Sequence, residues 1–349
     1  MSNGTAETSS YIDDIKEQPA ALRRQAEAPL PAALRDVDLR DHDRIILTGM
    51  GSSDYATIPI ERALAAAGLP VVRIDAGQLL DVPERVTNRS VVWATSQSGR
   101  SGEVAALADR LTGSCRPALT IATTDDTTSP LAGMADIVLE LHSGPEATVS
   151  TKSYLNTLAA QHRVLALLTG GDVAAVEEDV RQIADEVADL LTAWPEADGF
   201  AEQAWNAPRA RFAYIGIADD AATALTGALI TKESAKVPVE GFVGGAFRHG
   251  PYELAGPGLT AVLFGPGGQD DPFLPGLARD LTRSGATVLT IGPRAYDGTG
   301  LLSTPSRDSA LARLAVGSVR TQLLTLAFAK ATGEVAGRFR FGQKVTAAL

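Results

Sequence analysis

The chain has 349 residues, 42 Asp and Glu against 31 Lys and Arg, a net charge of −11 with neutral histidines, and 45% hydrophobic residues. This profile excludes a largely disordered chain and, with no basic run anywhere, general binding to nucleic acid or to an anionic membrane surface. Apolar stretches end well short of the ~20 residues a membrane helix needs, and the length suits two domains, each with a core of its own.

The polar N-terminus lacks the blocks of a signal peptide, and the single Cys115 cannot form an internal disulfide, so a cytoplasmic protein is expected. His42, His142, His162 and His249 are scattered without ligand spacing; neither a metal nor a cofactor is expected.

Residues 1–10 read as disordered and 11–28 as a helical arm, with Ile12, Ile15 and Leu22 near helical spacing and Pro19 interrupting. From Arg44 the pattern becomes apolar strand, Gly/Ser turn and amphipathic helix, repeated with strands at 45–48, 91–95, 118–123 and 137–141. A long acidic helix over 173–193 follows, then a linker rich in Pro and Gly. Strands restart at 212–217, 260–264 and 287–291, between helices at 221–234 and 273–283, and a last helix covers 311–331. Short buried strands alternating with helices predict an α/β fold in two halves, each a parallel sheet flanked by helices in three α/β/α layers. The predicted boundaries are an arm at 1–40, a first domain at 41–193, a linker at 194–210, a second domain at 211–333 and a tail at 334–349.

In an open parallel sheet, ligands sit beyond the carboxyl ends of the strands, where turns present backbone N–H groups and a helix dipole to an anion. Two turns of the first half are built for this: Gly49-Met-Gly-Ser-Ser53, and Ser96-Gln-Ser-Gly-Arg-Ser101. Glycine lets the backbone approach closely, and the hydroxyls of Ser53, Ser96, Ser98 and Ser101 can donate to phosphate oxygens. Neither turn is a Walker loop or a G-x-G-x-x-G dinucleotide fingerprint.

Ser96-Gln-Ser-Gly-Arg-Ser-Gly102, Ser129-Pro-Leu-Ala-Gly-Met-Ala-Asp-Ile-Val-Leu139, Gly144-Pro-Glu146 and Ser150-Thr-Lys-Ser153 together resemble the sugar isomerase (SIS) domain. The closest pattern is the tandem SIS isomerase domain of glucosamine-6-phosphate synthase and of glutaminase-free amino-sugar-phosphate deaminases and deglycases, and the likeness runs from about Ile12 to Thr346. It implies a flavodoxin-like fold in both halves and a phosphate cradle of Ser53, Ser96, Gln97, Ser98 and Ser101, with Ser150 near the sugar hydroxyls. It also implies that Glu233, in Gly227-Ala-Leu-Ile-Thr-Lys-Glu233, moves a proton between sugar carbons. His249, in Arg248-His-Gly-Pro251, would open the sugar ring from the other subunit of a homodimer. Lys344, in Arg340-Phe-Gly-Gln-Lys-Val-Thr346, would form a Schiff base with the open-chain sugar.

Departures from the family pattern are Ile230 in place of a lysine, Arg100 in place of an acidic residue, and a 146–150 loop one residue shorter. The family's glutaminase half is missing, so ammonia from glutamine by that route is not expected. The resemblance implies aldose-ketose isomerisation of a small-molecule sugar phosphate coupled to deamination or deglycation. A plain sugar-phosphate isomerase and a non-catalytic sugar-phosphate sensor are the alternatives, and the Glu233–His249 pair argues against the sensor.

Overall fold

The computed structural model describes residues 10–192, 197–267 and 271–346. Residues 1–9, expected to be disordered, lie outside them. The first sheet contains β1 (Arg44–Gly49), β2 (Val71–Arg73), β3 (Ser90–Thr95), β4 (Leu119–Thr124) and β5 (Ile137–Glu140), all parallel, in the order β2-β1-β3-β4-β5. The second contains β6 (Arg211–Gly216), β7 (Val239–Val243), β8 (Leu259–Phe264), β9 (Thr287–Gly292) and β10 (Gly300–Ser303), again all parallel. Read from β7, its order is β7-β6-β8-β9-β10, the same 2-1-3-4-5 arrangement. The fold is therefore duplicated.

Alternating side chains of each strand feed opposite layers, because successive Cβ atoms point to opposite faces. Ile45, Leu47, Val91, Trp93 and Ile121 pack with Ile60, Leu64 and Val164 on one face of the first sheet. Ile46, Val92, Ala94 and Ala122 pack with Leu79, Val104 and Leu107 on the other. The second sheet divides in the same way: Ala213, Ile215 and Leu263 lie against Leu274 and Leu277, and Phe212, Tyr214 and Val262 against Leu324 and Phe328. Covered on both faces, the central strands β3 and β8 are buried at every position.

The arm helix Tyr11–Glu27 begins with a capping box, Ser10 and Asp13 satisfying each other's backbone donors. It lies on the helices Lys152–Thr169 and Val173–Thr192. Gln18 and Gln322 exchange hydrogen bonds of 2.8 and 3.0 Å, tying the arm to the helix Ala310–Thr332 of the second half. Leu22, Leu155, Leu158, Ile183, Val187, Leu314 and Val319 form one core between the halves. No described helix is long and apolar enough to cross a membrane.

The structure differs from the sequence reading in the stretch taken as a linker. Asp198–Trp205 is a helix whose Ala201 and Ala204 are buried in the core of the second sheet, where Trp205 stacks on Phe212. Ala201 and Ala204, with the half-buried Phe200 and Trp205, supply its packing, too few apolar positions to give a helical period between Pro195 and Pro208. Residues 194–196 of that stretch lie outside the described residues.

Candidate active site

The order 2-1-3-4-5 reverses direction between β1 and β3, and the crevice at their carboxyl ends is where such sheets take ligands. The two Ser/Gly turns follow these strands. After β3, Gly99 adopts φ +60°, and a Cβ there would come within 2.0 Å of Ser129 Oγ, so only glycine fits. The turn is closed by Gly99 N–H donating to Ser96 O (3.1 Å) and Oγ (3.2 Å), and by Arg100 N–H donating to Ser98 Oγ (3.2 Å). Ser101 stands at the N-cap of the helix Gly102–Arg110, yet its hydroxyl does not cap, and its buried Oγ has no partner among the described residues. A buried hydroxyl without a partner beside a helix N-terminus is a donor waiting for an anion.

These turns line a cavity of about 360 Å³ bounded by Ser53, Ser96, Gln97, Ser98, Ser101, Ser150, Glu233 and Lys344, together with Met50, Thr148, Leu229 and Phe339. Eight of the nine residues named from sequence thus meet in one space. The second half supplies Leu229 and Glu233 from the helix Asp220–Ala235 and the rest of the closing wall from the C-terminal tail. Burial pushes the Glu233 carboxyl up to about 7, against the opposing charges of Lys344, Lys236 and Lys232. No described residue gives that carboxylate a hydrogen bond or ion pair. It is poised to exchange a proton near neutral pH.

The tail reaches the cavity along the arm. Gly337, at φ +79°, lies against Tyr11 and Thr148, where a Cβ would approach Tyr11 Cβ to 2.6 Å. Lys236 Nζ donates to Arg338 O (2.8 Å), and Gly102 N–H donates to Thr346 O (2.9 Å). Lys344 Nζ meets Glu146 Oε2 at 2.6 Å.

A second, more open cavity of about 980 Å³ shares Gln97, Ser98, Lys344 and Val345 with the first and continues outward past Arg24, Arg100, Asp126 and Glu140. Arg100 is half-exposed there and paired with Asp126 at 2.7 Å.

His249 is the ninth residue. It follows the short turn Gly244–Arg248, is exposed, and does not line the cavity. Ile230, which stands in place of the family pattern's lysine, packs in the core with Tyr11, Ile15, Val149 and Leu326. Sequence reasoning missed Glu146 as a partner of Lys344: the Gly144-Pro-Glu146 motif was visible, but nothing local links it to a residue 198 positions away.

In the second half, a side chain of the protein itself occupies the terminus of the equivalent helix. Asp271 accepts Phe273 N–H (2.8 Å) and Leu274 N–H (3.1 Å) at the start of the helix Leu274–Arg283, and Tyr296 O–H (2.6 Å). An internal carboxylate thus takes helix-terminal donors in the second half, where in the first half Gly102 N–H meets the tail carbonyl of Thr346 and the Ser101 hydroxyl lines the cavity.

With the fold and the site's geometry in place, the first half is identified by its match: residues 38–168 fit the model of the SIS domain, and the chain carries that domain. The second half repeats the same strand order. Among curated proteins, the chain is 31% identical over 293 residues to glutamine-fructose-6-phosphate aminotransferase (isomerizing) of Pyrococcus horikoshii, covering 80% of this chain and 48% of that one. It spans about half the length of this and several other such relatives.

Among solved structures, the C-terminal domain of glucosamine-fructose-6-phosphate aminotransferase from Francisella tularensis superposes with a TM-score of 0.81 at 19% identity, covering 96% of this chain and 99% of that one. Glucosamine-6-phosphate deaminase from Thermotoga maritima gives 0.75 at 20%, covering 97% and 99%. At these identities the two likenesses show the fold.

Proposed function

We propose that the inner cavity binds a 6-phosphorylated sugar or amino sugar and carries out aldose-ketose isomerisation coupled to release of an amine. The observation that carries this reading is the meeting of the Ser96–Ser101 loop with Glu233 in one 360 Å³ space, an anion cradle beside a carboxyl pushed up to about 7. A sensor needs the cradle but has no use for such a base. The aminotransferase and deaminase names of relatives and fold neighbours point to the same chemistry.

In this mechanism the serine hydroxyls and the N-terminus of the helix Gly102–Arg110 hold the phosphate. Glu233 removes the proton from the carbon bearing nitrogen in the open-chain sugar and returns it to the neighbouring former carbonyl carbon. The double bond shifts to leave an imine, which water splits into sugar phosphate and free amine. His249 opens the ring from the facing protomer of a homodimer, which accounts for its exposure outside the cavity of its own chain. Lys344 works at the same carbonyl. The protein is assigned to the cytoplasm.

The outer cavity favours deglycation, because it gives a substituent on nitrogen about 980 Å³ beyond Lys344. A plain isomerase is the second reading, favoured by the burial of Ile230 away from the cavity, which leaves no cation at that position. The deciding experiment incubates the protein with hexose 6-phosphates, amino-hexose 6-phosphates and fructosamine 6-phosphates while following ketose and free amine together. Amine release from the nitrogen-bearing sugars is expected. Interconversion of hexose phosphates alone supports the plain isomerase, and turnover of none contradicts both readings.

A further inference from the structure

The Glu146 side chain is fully buried and accepts five hydrogen bonds. Oε1 takes Thr151 N–H (2.7 Å), Thr151 Oγ1–H (2.8 Å) and Ser153 N–H (3.1 Å), while Oε2 takes Ser153 Oγ–H at 2.7 Å and Lys344 Nζ–H at 2.6 Å. The first four come from the start of the helix Lys152–Thr169 and fix the carboxylate whether or not the tail is present. The fifth comes from the tail. A buried carboxylate aimed at one cation of the tail is an anchor with a single correct position for its guest.

Three further observations bear on what that anchor does. Burial by itself would raise the Glu146 carboxyl, but the Lys344 charge and the hydrogen bonds from Lys344 and Ser153 outweigh it and hold the group below the usual glutamate range. Lys344 lies on the wall shared by the inner and outer cavities, whereas Glu146 lines only the outer one. Two residues beyond the lysine, Thr346 O is tied to the first amide of the helix that opens behind the serine loop.

We propose that Glu146 is the positioning residue for Lys344: its carboxylate latches the tail across the inner cavity and fixes the place from which the lysine amine meets the sugar carbonyl. The latch spans the chain, with the loop before the helix Lys152–Thr169 providing the catch and the C-terminal tail the bolt. The arm stiffens the catch, since Asp14 accepts Ala147 N–H at 2.8 Å and Lys152 bridges Asp14, Glu17 and the Pro145 carbonyl. This inference rests on the reading of Lys344 as an active-site group.

The test is a double-substitution cycle of Glu146→Gln, Lys344→Met and the pair, in the full chain, read in two ways. Trace acetylation of amines followed by peptide mass needs no substrate. Lys344 should label about tenfold or more slower than exposed Lys232, the low end for a hydrogen bond to a charged group. Glu146→Gln should remove most of that protection while Lys152, held by Asp14 and Glu17, stays protected. In turnover, Glu146→Gln should lower kcat about tenfold or more with KM within about threefold, and should cost less than about twofold when Lys344 is already Met. Losses that multiply in the double variant, or continued protection of Lys344 in Glu146→Gln, would overturn the proposal. If Glu146→Gln fails to fold, Glu146→Asp draws the charge back by one methylene and is judged by the same comparisons. If no sugar phosphate turns over, labelling still decides the latch, and the missing turnover counts against the proposed function instead.

Discussion

Gly102 and Thr346 stand at opposite ends of the chain, yet the Gly102 amide donates a 2.9 Å hydrogen bond to the Thr346 carbonyl. The first helical residue behind the phosphate cradle is thereby stitched to the tail that carries Lys344. Truncation before Arg340 should abolish turnover, because Lys344 goes with it. Calorimetric affinity for a sugar phosphate should stay within about tenfold, since the cradle keeps its serines and the departing Lys344 charge is already paired with Glu146. Full turnover by the truncated protein would remove the tail from catalysis.

Ser98→Ala should weaken phosphosugar binding by about 10- to 150-fold, the value of one hydrogen bond to a charged group of about 1.5–3 kcal/mol. Unfolding should barely change, because Ser98 is only partly buried and its hydroxyl accepts just one exposed backbone amide. Intact binding in a Ser96→Ala, Ser98→Ala double variant would place the phosphate elsewhere.

Glu233 sets a pH dependence in two observables. As a base it must be ionised, so kcat/KM should fall about tenfold per pH unit below its value of about 7. Its folded value lies above the ordinary 4.5, so the folded state holds its proton more tightly than the unfolded one and disfavours ionisation. That contribution to stability is fully present below about 4.5 and is lost as pH rises through 7. Glu233→Gln should therefore raise Tm relative to wild type at pH 8 and leave it unchanged at pH 4. Equal Tm at both pH values would mean that burial does not disfavour the charge.

The exposure of His249 leads to a mixing experiment. His249→Ala and Glu233→Gln protomers, each inactive, should regain roughly a quarter of wild-type activity after random exchange, because half the dimers then carry one intact site of two. No recovery after verified exchange would place His249 within its own chain's chemistry or outside it altogether.

The parts of the fold and site visible in the sequence are those whose signals are local. Strands buried on both faces, such as Ser90–Thr95 and Leu259–Phe264, appear as continuous apolar runs, and the Ser96–Ser101 loop carries its glycine and hydroxyls in one short segment. Two edge strands lack such runs: Val71–Arg73 is three half-buried residues, and Gly300–Ser303 has one buried position. Ile230 lies on a helix buried around most of its circumference, so periodicity could not assign it a face, and only packing shows it turned toward Tyr11. The Glu146–Lys344 pair has no sequence signature at all, since its two members lie 198 positions apart, one on a loop and one on the tail.

The central claim is that Glu233 moves a proton on a sugar held by the serine loop. The most direct measurement is exchange of the proton on the carbon next to the substrate carbonyl with deuterated water, in wild type and in Glu233→Gln, with binding verified by calorimetry. The account predicts that the variant binds as wild type does but exchanges about 10²- to 10⁴-fold more slowly. Exchange at the wild-type rate in the variant would contradict it.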